Sequence, residues 1–211
     1  MWKKLSDPWK IAFELAWESY KKNSIPIGSV IVNQLGEYVS FGRNQIYDLS
    51  STHSLAGSIM AHAEMTAFST LKVKEHPNIR QYALYSTMEP CPMCFGTCVM
   101  MNIRRVYYAS EDAFAGATKL SNKLNYIAYN NIVSVCIGND LQAFQLMLQT
   151  AFEEGRQHPR KLQIYKAWSL SDKKAVALGR QLFKEGVFDP SLSIDVVYNN
   201  ALNRYHLYPD L

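Results

Sequence analysis

Residues 61–67 read AHAEMTA, and residues 86–96 read STMEPCPMCFG. Pro90 and Pro92 punctuate the second stretch, and a proline just inside a helix start is tolerated because its missing N–H would be unpaired there anyway. The pattern predicts a helix from about Met93 to Asn102 that begins at a Cys-x-x-Cys pair, Cys91 and Cys94. A second helix is expected from about Ile59 to Val73, with Met60, Ala63, Ala67, Phe68 and Leu71 facing inward and His62 near its start. Two thiolates at this spacing can grip one metal ion, and both a helix N-terminus and a cation favour the thiolate form. His62 supplies a third ligand. Three protein ligands leave a position for water, which describes an open, catalytic zinc site rather than a four-ligand structural one.

By itself a Cys-x-x-Cys pair fits a structural zinc knuckle or a redox dithiol equally well. Cys98, one turn beyond Cys94, is the available fourth ligand for a structural site, but its position along the helix predicts a small buried core residue. Glu64 favours catalysis. It follows His62 by two residues, close enough to take a proton from water at the open position and to hand protons onward.

Working outward, Asp7-Pro8 marks a helix start, and Trp9, Ala12, Phe13, Ala16, Trp17 and Tyr20 recur at helical spacing. Residues 27–33 and 37–43 read as a β-hairpin, followed by a polar, turn-rich loop over 44–58. Further strands are expected at 82–87, 104–110 and 132–138, and an amphipathic helix at 141–154. Strands alternating with helices imply a sheet layered between helices. Residues 155–161 (GRQHPRK) read as a linker to a helical tail with helices over 172–186 and within 192–206. The division expected is a catalytic domain over 1–155 and a helical C-terminal extension over 156–211.

The 211 residues carry a net charge of +4, of which +2 falls in residues 1–150 and +2 in 151–211, so charge permits a nucleic-acid partner without requiring one. No window reaches the ~18 apolar residues of a membrane span, and the start, MWKKLSDPWK, has no apolar run of a secretory signal. Three of the four cysteines fall within eight residues, which suits a metal site in a reducing compartment. A cytoplasmic location is expected.

Residues 25–32 (IPIGSVIV), Gly42-Arg43-Asn44, AHAEMTA and STMEPCPMCFG together resemble the cytidine/deoxycytidylate deaminase superfamily, nearest its branch of tRNA-specific adenosine deaminases and bacterial guanine deaminases. The H-x-E…P-C-x-x-C pattern is the signature of zinc deaminases of nucleobases. The resemblance runs over roughly residues 7–155. It implies a three-layer α-β-α sandwich with a mixed five-stranded sheet, a Zn2+ cofactor, assembly as a homodimer, Asn44 and the backbone N–H of Ala63 as substrate contacts, and a structural role for Glu89.

The reaction expected is hydrolytic removal of an amine from a nucleobase or nucleoside, a purine for preference, with Glu64 as the proton carrier. An adenosine in tRNA is the alternative substrate, and a non-catalytic, zinc-stabilised interaction protein is the alternative of another class. The gap between Asn44 and His62 is longer than in the wobble-adenosine enzymes, so residues 45–59 are expected to form a flap. Tyr107, Tyr108, Phe114 and Arg104-Arg105 are the available RNA-stacking and phosphate-binding groups, although packing roles are the simpler reading. Arg156, Arg160 and Lys161 are expected in a solvated linker, and His53, His76, His158 and His206 at ordinary surface positions.

Overall fold

The computed structural model describes residues 1–123 and 125–207. Helix α1 (Asp7–Lys21) leads into β1 (Gly28–Val32) and β2 (Tyr38–Arg43), an antiparallel hairpin. Helix α2 (Ala63–Phe68), β3 (Ala83–Met88), α3 (Pro92–Met100) and β4 (Arg105–Ser110) follow. Helix α4 (Asn125–Asn130), β5 (Val133–Cys136) and α5 (Asn139–Glu154) complete the region that carries the sheet. The extension forms α6 (Lys161–Lys184) and α7 (Ile194–Leu207).

The five strands lie in the order β2-β1-β3-β4-β5. β1 pairs antiparallel with both β2 and β3, whereas β3–β4 and β4–β5 are parallel. The sheet is therefore mixed, as expected. Alternate side chains choose opposite faces: Ile31 and Leu84 join Ala67, Phe95, Cys98 and Val99 beneath α2 and α3, while Val30 and Val32 meet Ala12 of α1. Two glycines permit close helix–sheet approach. A Cβ at Gly28 would run into the carbonyl oxygen of Ala12, and one at Gly42 into that of Ala63.

Helix α5 is buried on nearly every side. One side packs on β3 and β4 and meets α1 through Phe13 and Phe144 (ring centroids 5.3 Å apart), and α6 and α7 cover the outer side, placing Trp168, Leu178, Val197 and Tyr198 in the same apolar cluster. A helix apolar all round belongs between layers. Helix α6 bends at Asp172, whose backbone is extended (φ −158°, ψ 93°) and whose Oδ1 accepts the Ala175 N–H at 2.8 Å. Asp172 thus caps the second half of the helix, and this explains why the sequence periodicity reads a helix only from 172.

The expected helix over 59–73 is shorter. Residues 58–62 form turns, with the His62 N–H bonded to Met60 O, and His62 stands as the extended residue before α2. At the other end the hydroxyls of Ser69 and Thr70 bond back to the carbonyls of Thr66 and Ala67, an alternative to helical pairing. Met60 is accordingly exposed rather than inward-facing. Among the described residues no helix is long and apolar enough to cross a membrane.

Candidate metal centre and active site

His62 and Cys91 occupy equivalent places, each the extended residue immediately before a helix, with φ/ψ of −67°/156° and −68°/173°. Pro92 holds the first position of α3, and Cys94 follows within its first turn. The two helix starts therefore converge. His62 Nδ1 lies 3.5 Å from Cys91 Sγ and 3.5 Å from Cys94 Sγ, and the sulfurs are 3.7 Å apart. An ion held tetrahedrally at ~2.3 Å from sulfur and ~2.05 Å from nitrogen sets its ligands ~3.8 Å (S···S) and ~3.6 Å (S···N) apart. The observed triangle matches this, so these residues fit Zn2+. Among the described residues they are the group of His, Cys, Asp and Glu side chains close enough to share an ion. Cys98 is fully buried in the core beneath α3.

The donors are electrostatically prepared. Contact with Cys94 and with His62 outweighs burial and draws the Cys91 thiol down to about 4. The Cys94 thiol is pushed up by its contact with Cys91, by burial and by the nearby Glu64. A bound cation would remove that proton, since a coordinating thiol is deprotonated outright. Burial opposes charge on His62, but Cys91 and Glu64 raise its pKa above the ordinary value.

Glu64 is 3% exposed, at the first turn of α2, and its Oε1 accepts the Ser86 hydroxyl of β3 at 3.0 Å. Burial raises its pKa. Ser86 is in turn bonded to Ser29 at 3.3 Å, so two strands back the carboxylate.

Asn44 is also buried. Its Oδ1 accepts from Ser24 Oγ (2.8 Å) and from the Ile46 N–H (3.1 Å), and its Nδ2 has no partner within the described residues. Its own N–H bonds Ile27 O, and Ile27 lines the cavity over the metal site. Ala63 is the first residue of α2, beside the ligands.

That cavity, of about 190 Å³, is lined by His62, Glu64 and Cys91 on one side. The other side carries Arg156, His158 and Arg160, which the sequence reading placed in a solvated linker or at the surface, and four residues it did not single out: Ile164 and Trp168 of α6, and Gln149 and Glu153 of α5. The Arg156 guanidinium lies 4.3 Å from the Tyr47 ring centre and donates to its hydroxyl at 2.8 Å, joining the extension to the loop over 45–59. That loop is anchored by the buried Arg43–Asp48 ion pair. Burial alone would raise the Asp48 carboxyl, but hydrogen bonds from Ser50 and the Arg43 guanidinium hold it down to about 2. No sequence signal marks the 156–168 wall, because each of its contacts joins distant segments.

The candidate RNA-binding groups are mostly committed to packing. Tyr107 meets Tyr85 with ring centres 5.0 Å apart, Tyr108 is buried with its hydroxyl 3.3 Å from Thr118 Oγ1, and Arg105 bonds the Gln81 carbonyl. Phe114 sits at the cavity beneath the Arg160 guanidinium.

Comparison with known proteins agrees with this geometry. The family model for the cytidine and deoxycytidylate deaminase zinc-binding region matches residues 3–110. A tRNA-specific adenosine deaminase of Streptococcus pyogenes serotype M18 is 32% identical over 151 residues, covering 71% of this chain and 90% of the relative. A tRNA(Ile)-lysidine synthase of Deinococcus radiodurans is 32% identical over 107 residues, and the chain spans only 17% of that relative's length. The solved guanine deaminase from Nitrosomonas europaea shares the fold, with a TM-score of 0.51 at 16% identity over 71% of this chain and 86% of that one.

Proposed function

Since the chain belongs to the cytidine and deoxycytidylate deaminase zinc-binding family, a family of zinc-dependent hydrolytic deaminases, we propose that it removes the exocyclic amine of a purine base, free or as a nucleoside. The observation that carries this choice is the walled cavity. Its volume of about 190 Å³ falls below the ~300–1,000 Å³ of sites for drug-sized ligands, and Arg156, His158, Ile164 and Trp168 stand opposite the metal ligands. A lone base suits such a space better than a nucleotide within a folded RNA.

In this reading His62, Cys91 and Cys94 hold zinc. Bound there, zinc supplies a Lewis acid that lowers the pKa of water toward ~7. Glu64 accepts a proton from the attacking water, returns one to a ring nitrogen, and carries another to the departing ammonia. The Ser86 hydroxyl, bonded to its Oε1, fixes the carboxylate for this role. The raised pKa from burial suits a group that must keep a proton in mid-cycle. Asn44, its amide oriented by Ser24 and Ile46, and the Ala63 N–H are the substrate contacts of this reading, although both residues are buried behind the lining of the cavity. Glu153 and Gln149 give the far wall its hydrogen-bonding groups. The thiolate ligands suit a reducing compartment, the cytoplasm, and assembly as a homodimer belongs to the same reading.

The relative from Streptococcus pyogenes favours a second reading, an adenosine in tRNA. Arg160, at the rim over Phe114, is the group that could meet a phosphate.

Ammonia release by the zinc-loaded protein decides between them, measured with guanine, adenine, cytosine, their nucleosides and an adenosine-bearing anticodon stem-loop. Turnover of one purine is expected, with Glu64→Gln retaining zinc and losing at least ~100-fold in rate. Inosine in the stem-loop alone would establish the second reading instead. A fully active Glu64→Gln would remove the mechanism.

A further inference from the structure

The loop 111–118, between β4 and α4, is held from two directions. On the metal side, Glu89 stands two residues before Cys91. Its Oε2 accepts the Asp112 N–H (3.0 Å), and its Oε1 accepts the Thr118 N–H (3.0 Å) and hydroxyl (2.5 Å). The Ala117 N–H adds a bond to Pro90 O at 3.0 Å. On the opposite side, Asp112 Oδ1 accepts the N–H groups of Phe114 (3.0 Å) and Ala115 (3.1 Å), together with the indole Nε1–H of Trp168 from α6 at 2.9 Å.

Three features mark the last bond as built. Trp168 is 4% exposed, and Asp112 and Trp168 both line the cavity that holds His62, Glu64 and Cys91. Ile164, one turn earlier on the same face of α6, lines it too. The bend at Asp172 comes four residues after Trp168, and the half of α6 before it reaches the cavity while also packing on α5, where the Tyr165 hydroxyl donates to Thr150 O at 3.3 Å. A second link from the extension runs parallel to this one, with the Arg160 guanidinium over the Phe114 ring at 5.6 Å.

We propose that the C-terminal extension is a working part of the catalytic pocket, and that Trp168 is a positioning residue which sets loop 111–118 against the substrate through its hydrogen bond to Asp112. The bond organises an acceptor that already turns the loop: Asp112 Oδ1 receives two backbone N–H groups, and the indole N–H is the third donor on the same oxygen. Removing it frees the loop on the extension side while Glu89 still holds it on the metal side. The substrate-facing positions Phe114 and Ala115 are those left between the two anchors. The effect belongs on substrate binding rather than on proton transfer, because Glu64 and Ser86 have no contact with this chain of bonds.

The inference rests on the deaminase reading for its kinetic arm only. Trp168→Phe keeps an aromatic ring in place and removes the donor; Asp112→Ala removes the acceptor; the double variant tests whether the two act together. All three are studied as full-length, zinc-loaded protein. In Trp168→Phe, amide exchange at Phe114 and Ala115 is expected to accelerate about tenfold, the scale of a hydrogen bond to a charged group, with β3, β4 and α5 unchanged. For the best purine of the wild-type panel, KM is expected to rise about tenfold with kcat within about twofold. Adding Trp168→Phe to Asp112→Ala should then change KM by less than about twofold. Wild-type exchange in the loop, or a KM unaffected while only the melting temperature falls, would overturn the proposal. If the wild-type chain deaminates none of the bases, the functional reading fails, and the exchange measurement alone still decides the tether.

Discussion

The wall of the cavity that carries His62, Cys91 and Cys94 and the wall that carries Asp112, Arg156 and Trp168 differ in how their groups are brought together. On the metal side each ligand sits at a helix start that its own neighbours create: Pro92 opens α3, and the turns over 58–62 deliver His62 in extended conformation to α2. On the far side every joint links remote segments, with 56 residues between Asp112 and Trp168 and 109 between Tyr47 and Arg156. The first wall is a product of local backbone geometry. The second exists only once α5 has been sandwiched between the sheet and the extension.

The comparison can be broken most severely from the metal side. Cys94→Ala should abolish zinc binding, measured by metal content, and with it turnover. The chain should also lose several kcal/mol of stability where metal affinity is folding energy. The exchange protection of α5 against α6 should survive, because those contacts do not involve the ligands. Melting of both walls together would show that they are one cooperative unit.

A smaller perturbation tests the seam. Gly116 passes so close to the Glu89 carboxylate that an added Cβ would collide with it, and would also stand 2.6 Å from the Asp112 carbonyl oxygen. Gly116→Ala should cost about 1–3 kcal/mol by overpacking and lower kcat/KM up to ~100-fold by displacing the loop. Zinc content should remain full. Loss of zinc would mean that the seam also holds the ligand turn in shape.

The mildest test lies on the loop over 45–59. Asp48 titrates in the folded chain at about 2, below its ordinary value, because Ser50 and Arg43 favour the charged form. A lowered carboxyl stabilises the fold at pH values above its unfolded pKa, and the benefit is lost as pH falls through the folded one. Asp48→Asn should therefore lower the melting temperature by a few degrees at pH 7, about 1.5 kcal/mol for a hydrogen bond to a charged group. The gap to wild type should narrow as pH falls from about 4 toward 2. Thermal melts over that range measure it, and a gap independent of pH would remove the ion pair as the loop's anchor.

The sequence alone made the sheet legible, because short β-branched and apolar runs bounded by turn residues, as at 27–33 and 82–87, read as strands whatever the details of packing. It also made the zinc ligands legible, since Cys-x-x-Cys at a proline-marked helix start leaves little freedom for where the sulfurs go. The short helix α4 and the first half of α6 were less legible. The latter has Ile164, Tyr165 and Trp168 as its buried stripe, two turns that a linker reading of GRQHPRK obscured. The extent of α2 was overread, because Ser69 and Thr70 end it by side-chain bonding that a periodicity count does not register.

What the sequence by itself determined was therefore the family, the fold and the metal centre, all carried by motifs of a few residues or by short strand-forming runs. Tertiary structure alone decided that Arg156, His158, Ile164 and Trp168 stand across the cavity from those ligands, and that Asp112 is held between Glu89 and an indole from α6. The physical reason is range. A helix start or a strand face is specified by neighbours along the chain. A hydrogen bond across 56 residues is specified by how three layers pack, and no local pattern records it.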